Sequence, residues 1–173
     1  NDSFISTAKA SGQYLNSLLA VQDARSDGFD EAILTNHENN VSEGSGQNIF
    51  FVKNNIIYTN DADSCILMGI TRESILTIAE KLKIPFKIIK FKTTDLLNAD
   101  EVFFTGTATE VTPVIEIDRH TVSDGRPGKL TEMLREYYLN IVKGENLLYN
   151  NWLTKINTVN SWIIINLNNK FGA

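Results

Sequence analysis

Two β-forming runs, Asn48-Ile49-Phe50-Phe51-Val52-Lys53 and Ile56-Ile57-Tyr58-Thr59, flank the pair Asn54-Asn55. Asparagine tolerates the positive φ of a two-residue turn, so this stretch predicts a β-hairpin. Its surroundings limit the fold further. Tyr14, Leu15, Leu18, Leu19 and Ala24 recur at helical spacing until Gly28, and the short apolar run Ala32-Ile33-Leu34 follows as a strand. Thr71 reads as the N-cap of a helix that begins near residue 72, with Glu73 in its first turn and Pro85 marking its end. Strands are predicted over Phe86 to Phe91, Glu101 to Thr105, Val114 to Ile117 and Thr121-Val122. After the loop 124–128, Leu130, Met133, Leu134, Tyr137, Tyr138 and Ile141 outline an amphipathic helix ending before Gly144. Hairpins mixed with helices do not make a regular βαβ alternation. The pattern predicts an α+β fold of mostly antiparallel strands flanked by helices.

A chain of 173 residues with 42% hydrophobic and 21% charged residues can bury one substantial core. A net charge of -5 leaves no basic surface for a nucleic-acid backbone, so any phosphate bound is a small one. One cysteine, Cys65, and two histidines, His37 and His120, predict neither an internal disulfide nor a metal centre. No run reaches the roughly 18 apolar residues of a membrane helix, and Asn1-Asp2-Ser3-Phe4 lacks the basic start of a signal peptide. These features predict a cytoplasmic protein without a membrane partner. The chain starts without methionine, which raises the expectation of a truncated one.

Two segments carry chemistry. Lys9 lies in Thr7-Ala8-Lys9-Ala10-Ser11-Gly12-Gln13-Tyr14, and Glu43 lies among small residues in Val41-Ser42-Glu43-Gly44-Ser45-Gly46. An amine that can form a Schiff base and an acid that can keep a heterocyclic nitrogen protonated are the groups pyridoxal phosphate (PLP) chemistry requires. Taken singly, Lys9 reads equally as a solvated lysine at a helix start and Glu43 as a glutamate in a glycine-rich turn. Gly69-Ile70-Thr71 opens a helix, where backbone N–H groups and the positive dipole end attract anions, although an N-cap alone explains the same residues.

Four segments in order, AKASGQYLNSLL at 8–19, VSEGSGQNIF at 41–50, GITRES at 69–74 and ADEVFFTGTATEVTPV at 99–114, resemble the fold-type IV PLP enzymes, and specifically the branched-chain amino acid aminotransferases. The resemblance spans roughly residues 5 to 154. It implies a pseudo-barrel-like sheet flanked by helices, as in the large domain of those enzymes, and PLP as cofactor. It also implies a homodimer acting on amino acids and 2-oxo acids. By the same resemblance Lys9 is the Schiff-base and proton-shuttling residue, Tyr14 bonds the phenolic oxygen of the cofactor, and Glu43 pairs with the pyridine nitrogen. Leu67 packs on the ring, Gly69, Ile70, Thr71 and Thr107 hold the phosphate, and Thr107 and Ala108 receive the substrate carboxylate. Read from periodicity alone, Tyr14 and Leu67 are as well described as core residues.

The chain departs from the family pattern at Met68, where proline is frequent, and at Gln13, where asparagine is; neither change removes a needed chemical group. The larger departure is size. The resemblance implies a PLP-binding C-terminal domain over 1–156, an asparagine-rich tail of no assigned role over 157–173, and no N-terminal small domain in the chain. The implied reaction moves an amino group from leucine, isoleucine or valine to 2-oxoglutarate. D-amino acid aminotransferase, aminodeoxychorismate lyase, a non-catalytic PLP-binding or oligomerising domain, and a fold that takes up no cofactor are the alternatives. The isolated chain is expected to be weakly active or inactive.

Overall fold

A five-stranded sheet, ordered β5-β4-β3-β6-β7, organises residues 8–154, the part of the chain described by a computed structural model. Its strands are β3 (Asn48–Lys53), β4 (Ile56–Thr59), β5 (Phe86–Ile88), β6 (Glu101–Gly106) and β7 (Glu110–Val114). Every pair is antiparallel except β4–β5. The expected hairpin forms between β3 and β4, with Phe51 opposite Tyr58, and Asn54 and Asn55 take φ of 52° and 58°. Those angles are the left-handed pair that a two-residue hairpin turn needs. β7, which carries Pro113, lies at the sheet edge, where a missing N–H leaves no ladder bond broken.

Strand β3 is buried along nearly its whole length, and alternate side chains feed two cores. Phe50 and Val52 join Ile57, Phe103, Ile75, Ile78, Leu134 and Ile141 on the face covered by α2 (Ile70–Lys81) and α4 (Lys129–Val142). Ile49 and Phe51 join Val41, Phe91, Leu96, Val102 and Phe104 on the other. Phe50 and Phe103, paired in register, stack with ring centroids 5.0 Å apart. Central β3 and β6 therefore read as continuous apolar runs, while the flanking elements keep a polar side.

The mixed fold with antiparallel-dominated sheets is the one the sequence implies, but several element boundaries differ from the expectation. Helix α2 starts at Ile70 with Gly69 as N-cap, two residues before the expected start, and Thr71 and Arg72 turn inward to 4% and 1% exposure. It ends at Lys81, ahead of Pro85, and Lys83 takes a left-handed φ of 57°. Strand β5 stops at Ile88 because its parallel partner β4 runs out at Thr59, after which Ile89 N–H makes the last bond to Thr59 O. A short helix, α3 (Thr93–Leu97), went unpredicted; Asp95 Oδ2 accepts from Lys92 N at its start. The stretch expected as two strands near 114–122 forms a small hairpin of β8 (Glu116–Ile117) and β9 (His120–Thr121), turned by Asp118 and Arg119 at φ 48° and 65°.

Helix α1 (Tyr14–Ser26) forms where periodicity predicts it, but its apolar stripe covers no core. Leu15, Leu18 and Leu19 are 65%, 66% and 59% exposed. A two-stranded sheet of β1 (Ile33–Thr35) and β2 (Val41–Gly44) connects α1 to the main sheet. Among the described residues no helix is long and apolar enough to cross a membrane. The tail expected over 157–173 lies outside the described residues.

Candidate active site

Four separate parts of the chain meet at one cavity of about 260 Å³. Lys9, in a tight turn closed by Ala10 N–H donating to Ala8 O just ahead of the 3-10 turn Ser11–Gln13, and Tyr14, the first residue of α1, form one side. Glu43 projects from the end of β2, and Asn48 and Thr105 lie beside each other across β3 and β6. Leu67, Met68, Gly69, Ile70 and Thr71 supply the start of α2, and Gly106 and Thr107 the turn after β6. Of the residues implicated by sequence, Lys9, Tyr14, Glu43, Leu67, Gly69, Ile70, Thr71 and Thr107 all line it. Ala108 is on the β6–β7 turn next to Thr107 and is not part of the wall. Neither core cluster includes Tyr14 or Leu67, and Tyr14 is 39% exposed.

Glu43 is the electrostatic centre of this site. Burial pushes its carboxyl up to about 7, against a hydrogen bond from Leu67 N–H that favours the charged form. That bond is 3.0 Å long to Oε2, and Asn48 Nδ2 approaches the same oxygen at 3.4 Å. Two hydrogen-bond contacts on one carboxylate oxygen do not offset the loss of water around it, so an ionised Glu43 lacks a positive partner. A ligand that brings a cationic N–H to the cavity would meet that deficit.

At the other end, the geometry of α2 favours negative charge. Its first intrahelical bond runs from Glu73 N to Gly69 O, so the amides of Ile70, Thr71 and Arg72 precede any helical acceptor. Gly69 is required by close packing, because a Cβ there would lie 2.2 Å from Asn48 Oδ1. Gly44 is hemmed in likewise, with Gln47 Oε1 at 2.7 Å and Phe104 Cε1 at 2.9 Å from where a Cβ would stand. The Thr105 hydroxyl is fully buried without a hydrogen-bond partner at the cavity wall.

A second, larger cleft of about 770 Å³ lies between α1 and β7 and contains none of the implicated residues. Asp23, Asp27, Asp30, Glu31, Glu116 and Asp118 line it, which disfavours any anionic occupant. Sequence reasoning missed Asn48, Thr105, Gln47 and Met68 on the first cavity. Asn48 and Thr105 stand in quoted segments, and the alternation of strand residues is the signal that singles them out: both are polar, both are buried, and they face each other in register.

The amino-transferase class IV profile matches residues 1–117. The chain belongs to the class IV aminotransferase family. A probable branched-chain-amino-acid aminotransferase of Aquifex aeolicus is 43% identical to this class IV chain over 157 residues, covering 90% of the chain and 50% of the relative. The branched-chain-amino-acid aminotransferase of Pseudomonas aeruginosa is 44% identical over 151 residues, covering 86% and 48%. The chain thus spans about half the length of the curated relatives it matches. Among solved structures, the T.th. branched-chain amino acid aminotransferase complexed with N-(5'-phosphopyridoxyl)-L-glutamate superposes with a TM-score of 0.88 at 43% identity, over 90% of this chain and 53% of that one. The Thermoproteus uzoniensis branched-chain aminotransferase with norvaline gives 0.85 at 44% identity, over 88% and 50%. Fold-type IV aminotransferases are therefore its structural neighbours.

Proposed function

We propose that this chain supplies the PLP-binding domain, residues 1–156, of a branched-chain amino acid aminotransferase that exchanges the amino group of leucine, isoleucine or valine with 2-oxoglutarate. The observation that carries the reading is the meeting, at one cavity, of an amine on Lys9, a desolvated acid on Glu43 and an anion-seeking helix start at Ile70. A phosphorylated, protonatable heterocyclic aldehyde has the complementary groups. The orphaned Thr105 hydroxyl at the cavity wall also favours a polar ligand.

Once held, PLP supplies an aldehyde that condenses with an amine and a ring that accepts the electron pair left when the α-proton of an amino acid departs. The residues serve that chemistry in different ways. The Lys9 amine first fixes the cofactor and, once free, moves the proton at the substrate α-carbon. Glu43 keeps the proton on the ring nitrogen, its charge neutralised by that N–H. Tyr14 orients the phenolic oxygen, and Leu67 packs against the ring. The amides of Gly69, Ile70 and Thr71, with Thr107, bind the phosphate. The turn at Thr107 and Ala108 takes the substrate carboxylate.

Preference for a branched substrate draws on the relatives. Solved relatives contain 4-methylvaleric acid, norvaline, and glutamate linked to a phosphopyridoxyl group. A homodimer in the cytoplasm completes the proposal; the uncovered Leu15, Leu18 and Leu19 stripe supports the dimer, and the single free thiol of Cys65 suits a reducing compartment. The test is absorbance of the protein with PLP, followed by L-leucine, D-alanine and L-aspartate in turn. A visible band that L-leucine alone bleaches supports the assignment. Bleaching by D-alanine points to the D-amino acid branch, a band no amino acid alters to a binding domain, and the absence of a band overturns the reading.

A further inference from the structure

Asn48 stands between the two chemically distinct ends of the cavity. Its amide nitrogen donates to Leu67 O at 2.7 Å and reaches Glu43 Oε2 at 3.4 Å, while its amide oxygen lies against Gly69, the N-cap of α2. The orientation is dictated by its partners: a carbonyl and a carboxylate both accept, so the NH₂ end must face them. Asn48 is 4% exposed at the start of β3, paired in register with Thr105 of β6, so its backbone is anchored in the central sheet. Leu67 closes the loop, because its N–H donates to the same Glu43 oxygen that Asn48 approaches.

We propose that Asn48 is a positioning residue that ties the Glu43 carboxylate and the Leu67–Gly69 turn into one rigid unit, fixing the separation between the acid and the helix N-terminus. A ligand with a ring nitrogen at one end and a phosphate at the other needs that separation held constant. Strands β2 and β3 alone do not set it, since the turn at 67–69 belongs to a different part of the chain. Asn48 is the side chain that touches both the acid and the turn. The inference rests on the reading of Glu43 as the partner of the ring nitrogen.

The test needs no turnover. In the full chain without PLP, the Glu43 side-chain carboxyl carbon and the Asn48 side-chain amide are followed by NMR from about pH 5 to 9, spanning the midpoint near 7. Asn48 amide resonances that move with the midpoint of Glu43 are expected; resonances that stay flat through that midpoint overturn the proposal in wild-type protein, before any variant is made. Asn48→Ala, which removes both the Nδ2 donor and the Oδ1 that lies against Gly69, should raise the Glu43 midpoint by up to about one pH unit, and Asn48→Asp, which adds a like charge, by more. A midpoint that moves in Asn48→Asp and not in Asn48→Ala would mean mere proximity of charge and sinks the idea.

PLP affinity by absorbance titration should also fall about tenfold in Asn48→Ala, the scale of one hydrogen bond to a charged group. The two readings fail separately. Coupled Asn48 and Glu43 resonances in a protein that takes up no PLP leave the positioning role intact and refute the functional assignment. PLP bound at Lys9 in a protein with uncoupled resonances does the reverse.

Discussion

Replacing Glu43 by glutamine should make the cofactor-free protein more stable above neutrality while removing its reason to bind PLP. Burial moves this carboxyl from 4.5 to about 7, so between those values the folded chain holds a proton that the unfolded chain has released. The unfolded state then binds fewer protons, and stability falls as pH rises. The contribution is complete below 4.5 and gone above about 7. At about 1.4 kcal/mol per pH unit, the loss across that window is on the order of 3 kcal/mol. Glutamine has a similar shape, keeps an oxygen for Leu67 N–H and does not titrate. Urea unfolding of both proteins, followed by circular dichroism without PLP, should give equal stabilities near pH 4.5 and a glutamine variant about 2 to 3 kcal/mol more stable at pH 8. Asp100, held down mainly by its hydrogen bond with Lys53, then by Asn54, acts only below 3.8 and leaves this window clear. A stability difference that does not change with pH would refute the claim that Glu43 is a buried acid awaiting a cationic partner.

Other consequences follow from the same packing. Gly44→Ala should weaken PLP binding and destabilise the fold by about 1 to 3 kcal/mol in urea, because the new methyl collides with Gln47 and Phe104 under the acid. Glu101→Ala should cost about 2 kcal/mol in thermal or urea melts with PLP affinity unchanged, since Glu101 accepts from Leu130 N, Thr131 N and Thr131 Oγ1 at the start of α4, away from the cavity that Glu43 lines. Joint replacement of Leu15, Leu18 and Leu19 by serine should shift sedimentation velocity profiles towards monomer, because these side chains are largely exposed within one chain and free to pack against a second copy.

Local chemistry was the legible part of the fold. The Asn54-Asn55 turn, the β-runs beside it and the apolar face of α4 declare themselves within a few residues, because turn geometry and periodicity are short-range properties. Boundaries set by distant partners were not. Strand β5 ends where β4 ends, and Gly69, the N-cap of α2, packs so closely on the Asn48 side chain of β3 that a Cβ there would collide with it. The stripe on α1 was legible as a helix and misleading as a core, since periodicity reports an apolar face and says nothing of what covers it.

The site followed the same division. Lys9, Glu43 and the α2 start could be suspected from residue type and spacing, and the family resemblance supplied their roles. Asn48 and Thr105 escaped notice because polar residues in strands are ordinarily solvent-facing, and only the β3–β6 register puts these two, buried, at the cavity wall. The raised pKa of Glu43 was equally invisible, because it arises from burial by parts of the chain distant in sequence and is only partly opposed by the hydrogen bond from Leu67 N–H.

The claim on which the rest depends is that Lys9 is the residue that fixes PLP. Incubating the protein with PLP, reducing with borohydride and mapping the modified peptide by mass spectrometry tests it directly. One phosphopyridoxyl group on Lys9, absent in Lys9→Ala and suppressed by excess inorganic phosphate, is the predicted result. Label spread over surface lysines in proportion to their exposure, or undiminished labelling in Lys9→Ala, would contradict the account.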